Sequence, residues 1–149
     1  MSLGKKRSWD LDLSIVIPVK DEADNIISLA KEINIVMESV LYTWECIWVD
    51  DGSTDNTLSE LKGLNEKDPR YQFVSLSENF GQSAALQAGF HSARGKLLAT
   101  LDGDGQNDPN DLPALVARLI EKGADMVNGV RQKRKDSFVR KISSQRFCY

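Results

Sequence analysis

The chain has 149 residues, 41% of them hydrophobic and 28% charged, with a formal net charge of −3. That is the length and composition of one domain with a core of its own, and the charge gives no global case for a nucleic-acid partner. Cys46 and Cys148 lie too far apart in sequence to form a disulfide framework or a zinc motif, no apolar run reaches membrane-spanning length, and no signal-peptide pattern is read. The opening MSLG reads as a tag remnant, so residues 1–12 are taken as an N-terminal extension. Strand patterns, short and rich in branched or aromatic residues, are predicted at 13–18, 45–50, 71–76, 96–102 and 124–130. Helical patterns alternate with them. Asn25 to Val40 carries Ile26, Leu29, Ile33 and Val36 or Met37 at spacings of three and four. Asp55 to Lys67 follows a Ser-Thr-Asp capping cluster, Gly81 to Ala93 is alanine-rich, and Asn110 to Lys122 closes at Gly123. Strands alternating with helices predict an α/β fold, a mostly parallel sheet with helices on both faces. After Asp136, Phe138, Val139, Ile142 and Phe147 keep helical spacing without a stop signal, so the chain is expected to be a piece of a longer protein.

In such sheets ligands bind beyond the carboxyl ends of the strands. Those ends read PVKDE (18–22), VDDGSTDNT (49–57), SENFGQS (77–83), DGDGQNDP (102–109) and VRQKRK (130–135), polar and charged at every one. Asp102, Asp104 and Asp108 crowd one strand end, and like charges that close repel. Gly103 lets the chain turn so that Asp102 and Asp104 converge, and Gln106 adds a side-chain oxygen, a donor set suited to a hard divalent cation. The alternative is a solvated turn, and for Asp108 and Asp111 helix capping is the preferred reading. Counting an EF-hand loop from Asp102 puts Asn107 where glycine is needed and Pro113 where glutamate is needed, which excludes it.

In VDDGSTDNT, Asp51 or its neighbour can accept from a nucleobase imide or a ribose hydroxyl, while Ser53 or Asp55 reads as a helix cap. Glu22 either turns back over its strand end or serves as an acid at the start of a helix. Arg131 falls where the fifth strand should end, placed for a diphosphate oxygen; the basic residues after it are a solvated face or meet an anionic membrane surface. His91 has no nucleophile partner in a motif and reads as structural. No Walker loop, GxGxxG fingerprint or Ser-His-Asp arrangement is found.

Together SIVIPVKDE, VDDGSTDNT, ENFGQSAALQAGF, ARGKLLATLDGDGQNDP and GVRQKRKDSFVRK resemble a family 2 glycosyltransferase of the GT-A fold over nearly all of residues 13–149. The QNDP segment followed by VRQKRKDSFVRK is most similar to the polyprenyl-phosphate sugar transferases, such as dolichol-phosphate mannose synthases and undecaprenyl-phosphate aminoarabinose transferases. The resemblance implies a Rossmann-like nucleotide-sugar-binding domain, C-terminally truncated, its acceptor half and membrane segment missing. It implies that Pro18, Val19, Glu22 and Asp51 hold the nucleotide. It implies that Asp102, Asp104 and Gln106 bind Mg²⁺ or Mn²⁺ on the diphosphate, with Gly103 between them, and that Arg131 contacts phosphate with Arg134 as a helper. Asp104 and Arg131 are the implied catalytic pair. Lys20 stands where the family often has an aromatic residue, and DGDGQ where it usually has DADLQ.

The implied reaction is inverting transfer of a sugar from a UDP- or GDP-linked donor to polyprenyl phosphate, in a cytoplasmic protein at the inner face of the inner membrane, serving the cell envelope. Alternatives are transfer to a saccharide hydroxyl, a non-catalytic nucleotide-binding module and, from GDGQND, a haloacid-dehalogenase-type phosphatase, although neither PVKDE nor DDGST supplies that family's nucleophile motif. Apolar surface exposed at the cut is expected to favour a homo-oligomer, and the chain by itself is expected to turn over little or nothing.

Overall fold

A computed structural model describes residues 10–129. Four strands, β1 (Leu11–Val19), β2 (Trp44–Asp50), β3 (Tyr71–Ser75) and β4 (Gly95–Thr100), alternate with helices α1 (Ala23–Glu38), α2 (Thr57–Lys67) and α3 (Gln82–Ser92). A 3-10 turn at Pro109–Asp111 then leads into α4 (Leu112–Lys122). The sheet has the order β3-β2-β1-β4, and every pairing is parallel. The chain therefore steps outward from β1 to β2 to β3, then returns to lay β4 on the other side of β1.

Parallel strands covered on both faces need continuous apolar runs, and the two central strands have them. All seven residues of β2 are buried, as are Leu13 to Ile17 of β1. On one face Val16, Ile47 and Val49 meet Ala85 of α3. Side chains alternate along a strand, so Cys46 and its register partner Tyr71 face the other way. There the Tyr71 hydroxyl donates to the Ala30 carbonyl of α1 at 2.7 Å, which fixes α1 on the opposite face. Burial of the α1 stripe Ile26, Leu29, Ile33 and Met37 explains why that periodicity became a helix. Each such side chain contributes about 1.5–3 kcal/mol. α1 begins two residues earlier than its apolar pattern, where Glu22 holds the Asn25 side chain. It stops at Ser39, whose N–H and hydroxyl both donate to the Val36 carbonyl.

The N-terminal ends of the strands carry a closed polar network. Glu45, 1% exposed, accepts from the Ser14 hydroxyl (2.7 Å), the Arg94 backbone N–H (2.8 Å) and the Arg94 guanidinium (2.7 Å). Ser14 accepts in turn from the Gly95 N–H at 2.8 Å. Nearby Arg70 pairs with Asp68 and lies 4.5 Å over the Trp44 ring.

The fifth strand is not formed: residues 124–129 are irregular, and Val130 lies outside the described residues. Ala, Asp, Asn and Gly are weak strand formers, and Met126 is 73% exposed, so the stretch has neither propensity nor burial to hold an extended ladder. The compact unit holding the sheet ends at Ala114, and a second begins at Leu115 within α4. In the second unit α4 closes as its Gly123 predicts, with the Gly123 N–H donating to the Ile120 carbonyl at 3.2 Å.

Candidate functional site

The topology reverses between β1 and β4, and a crevice outside the strand ends is expected at that point. A cleft of about 470 Å³ lies there. Pro18, Val19, Lys20 and Glu22 line it from the end of β1, Asp51 from the end of β2, Asn79, Gly81 and Gln82 from the turn before α3, and Asp102, Gly103 and Asp104 from the end of β4.

Every nucleotide-side residue implied by the sequence and described by the structure is therefore in one place. Glu22 serves both of its expected roles: it lines the cleft, while its carboxylate accepts from the Asn25 side chain at the start of α1. Asp50 and Asp51 divide as strand alternation requires. Asp50 turns to its own loop and to the end of β3, accepting from the Ser53 N–H at 3.0 Å and the Ser75 hydroxyl at 3.4 Å. Asp51, 5% exposed, reaches across to the turn before α3, where its two oxygens accept from the N–H groups of Phe80 (2.8 Å) and Gly81 (2.9 Å). Ser53 does not cap α2; it accepts from the Asp21 N–H at 2.9 Å. Asp55 accepts from the Thr57 N–H at the head of α2 and from the Ala23 N–H at the head of α1. Hydrogen bonds hold two of these carboxyls below their ordinary range: for Asp21 the chief cause is the Thr54 N–H, which its Oδ1 accepts at 2.7 Å, and for Asp55 the Thr57 hydroxyl.

On the β4 wall, Asp102 and Asp104 face the same cleft, with the Gln82 amide nitrogen 3.5 Å from Asp102 Oδ1. Gly103 is buried between them against β1. A Cβ there would stand 3.1 Å from the Pro18 carbonyl and press into the Val19 side chain, so glycine is what lets the acidic turn close on the β1 end. Gln106 is not among the residues lining the cleft; its backbone N–H donates to Asp104 Oδ1 at 2.9 Å. Asp108 caps the 3-10 turn through the Asn110 N–H, as the capping reading expects. Arg131 and Arg134 lie outside the described residues. His91 is exposed in the last turn of α3 and is not part of the core.

The residues present suit a divalent cation by their donor chemistry. No group of three or more His, Cys, Asp or Glu side chains able to hold a metal occurs among the described residues. Two carboxylates on one wall match instead the habit of magnesium, which takes one or two carboxylates and completes its shell from water and substrate phosphate. Among the described residues, those lining the cleft include four carboxylates and a single lysine, Lys20. Asn79, Gly81, Gln82 and Lys20 were not singled out as binding residues by sequence reasoning. Their signal was position alone, since each follows a strand.

Residues 14–148 match the family described as glycosyl transferase family 2. The chain belongs to that family. It is 45% identical over 136 residues to the dodecaprenyl-phosphate galacturonate synthase of Rhizobium johnstonii, covering 90% of this chain and 40% of that protein. It is 40% identical over 134 residues to the undecaprenyl-phosphate 4-deoxy-4-formamido-L-arabinose transferase of Salmonella choleraesuis, covering 89% of this chain and 41% of that one. Among solved structures, the mannosyltransferase PcManGT from Pyrobaculum calidifontis, in complex with GDP-Man and Mn²⁺, superposes with a TM-score of 0.60 at 24% identity, over 76% of this chain and 36% of that chain. The fold is thus GT-A, and the phosphatase alternative lapses. The chain spans about two fifths of the length of the curated relatives it matches.

Proposed function

We propose that the chain is the donor-binding part of an inverting glycosyltransferase that moves a sugar from a UDP- or GDP-linked donor to a polyprenyl phosphate. The observation that carries this reading is the cleft at the β1/β4 reversal, with Pro18, Val19, Glu22 and Asp51 on one side and Asp102 and Asp104 on the other. The acceptor is drawn from the two relatives, both named for polyprenyl-phosphate products or substrates.

Pro18, Val19, Glu22 and Asp51 would wall the nucleoside, and Asp102 and Asp104 would hold a Mg²⁺ or Mn²⁺ ion against the diphosphate, with Gln106 in reserve. When bound, the cation supplies neutralisation of the charge that builds on the departing diphosphate. Lys20 adds positive charge at the β1 end of the cleft, and Arg131 with Arg134 would add more. An acceptor phosphate is ionised near neutral pH, so no side chain of this domain is needed as a base. A lipid-linked acceptor would bring the whole protein to a membrane surface, which we read as the cytoplasmic face of the inner membrane; no described helix is long and apolar enough to cross one.

Calorimetric titration with UDP and GDP, each with and without Mn²⁺ or Mg²⁺, tests the reading. Binding of one nucleotide that requires the cation is expected. Binding indifferent to the cation would favour a non-catalytic nucleotide module instead.

A further inference from the structure

The turn after β1 and the turn after β2 are bonded to each other residue by residue. Lys20 Nζ donates to the Gly52 carbonyl at 3.3 Å and the Asp21 N–H to the Ser53 hydroxyl at 2.9 Å. The Glu22 N–H donates to the Thr57 hydroxyl at 2.9 Å and the Ala23 N–H to Asp55 Oδ2 at 3.2 Å. All four donors belong to the first turn. In the described bonds, Asp21 alone among residues 20–23 also accepts from the second: its Oδ1 takes the Thr54 N–H at 2.7 Å and the Thr54 hydroxyl at 3.2 Å. Its Oδ2 lies 3.5 Å from the Lys20 ammonium. The backbone is unusual at the same residue. Asp21 has φ of 53°, the one positive φ outside glycine among the described residues. A Cβ disfavours that conformation, although aspartate bears it better than most, and it persists where surrounding bonds dictate it. The neighbours on either side, Lys20 and Glu22, line the cleft, while Asp21 does not and directs its side chain to the second turn.

We propose that Asp21 is a positioning residue for the cleft: held in the left-handed conformation and bonded to Thr54, it clasps the two turns into one wall and so presents Lys20 and Glu22 to the ligand. The binding half of this inference rests on the nucleotide reading above; the clasp itself does not. The position asks for two things at once, a tolerated left-handed φ and an acceptor one short side chain away. Glycine supplies the first alone, alanine supplies neither, and aspartate and asparagine supply both. Asp21 acts through its neighbours and needs no contact with the ligand.

The test uses the whole 149-residue chain with Asp21→Gly and Asp21→Asn. Amide hydrogen exchange is read first, without ligand. At Thr54 it is expected to speed up roughly tenfold in Asp21→Gly, the scale of one lost hydrogen bond to a charged acceptor at a surface, and to stay within about threefold of wild type in Asp21→Asn. Titration with Mg²⁺ and whichever of UDP and GDP binds wild type follows. Asp21→Gly should bind roughly three- to tenfold more weakly, and Asp21→Asn should restore most of that loss. A residue serving stability alone would lower the melting temperature and leave the affinity of the folded protein intact. Unchanged exchange at Thr54, wild-type affinity in Asp21→Gly, or equal losses in the two variants would each overturn the proposal. If Asp21→Gly fails to fold, Ser53→Ala opens the same clasp from the other turn; faster exchange at the Asp21 amide and the same weakened titration are then expected, and neither would be seen if the clasp did not shape the cleft. If wild type binds neither nucleotide, the donor-site reading falls and takes the binding half with it, while exchange at Thr54 still decides whether Asp21 holds the two turns together.

Discussion

The two ends of this parallel sheet treat carboxylates in opposite ways. At the N-terminal ends, Glu45 is sealed by Ser14, Arg94 and the Arg94 backbone, and Asp68 by Arg70. Acid and base come from the same chain, and the charge is consumed in holding β1, β2 and β4 together. At the C-terminal ends, Glu22, Asp51, Asp102 and Asp104 share a cleft with one lysine among the described residues. Among the described residues, charge is paired at one end of the sheet and carboxylates outnumber cations around the cleft at the other, the end where we propose the ligand chemistry.

That contrast can be broken from either end. The largest effect is expected from Glu45→Ala, which strands a guanidinium, a hydroxyl and an N–H that the carboxylate now serves. Urea denaturation should show a loss of about 3 kcal/mol, with nucleotide affinity of the folded protein unchanged. Substituting Asp102 and Asp104 together by Ala should do the reverse. Cation-dependent nucleotide binding should vanish by calorimetry, while stability stays within about 0.5 kcal/mol of wild type. A pair of substitutions that unfolded the domain would mean the acidic turn serves structure first. Lys20→Ala should weaken nucleotide binding by a smaller factor and make it more dependent on cation concentration; equal binding at all Mg²⁺ levels would remove Lys20 from the site.

The smallest effect is on acid stability. Asp12, Asp21, Asp55 and Asp68 all have pKa values below the usual 3.8 through bonds they accept in the folded state. Protonation therefore favours the unfolded chain. The contribution is complete above about pH 4 and is lost as pH falls through the lowered values. Asp12→Asn, which weakens the Thr43 bonds and removes the attraction to Lys96, should flatten a small part of that decline in a pH series of thermal melts.

The sequence made the strands legible because burial on both faces leaves uninterrupted apolar runs, and β1 to β4 fall within two residues of where those runs suggest. Helix starts were less legible. α1 begins at Ala23 and α2 at Thr57 because Glu22 and Asp55 make bonds to other elements, which no local pattern records. The stretch 124–130 misled because a few apolar residues resemble a strand whether or not a neighbour pairs with them. At the site, residues carrying charge at strand ends were readable from type and position. Asn79, Gly81 and Gln82 were not, since their turn is bonded to Asp51 through the Phe80 and Gly81 N–H groups, partners 29 and 30 residues apart that no local pattern records.

The order β3-β2-β1-β4 also has a consequence for how the molecule comes into being. β1, β2 and β3 are successive in sequence and can assemble as the chain emerges, but Leu11 waits for Gly95 before its outer side is paired. Such distant pairing is entropically slow. The acidic wall follows β4, so the cleft is the last part of the sheet unit to exist. Pulse-labelled refolding should protect Ile47 and Val49 amides before those of β4. The sheet's β1-β2-β3 half would then precede the proposed nucleotide cleft in the order of assembly.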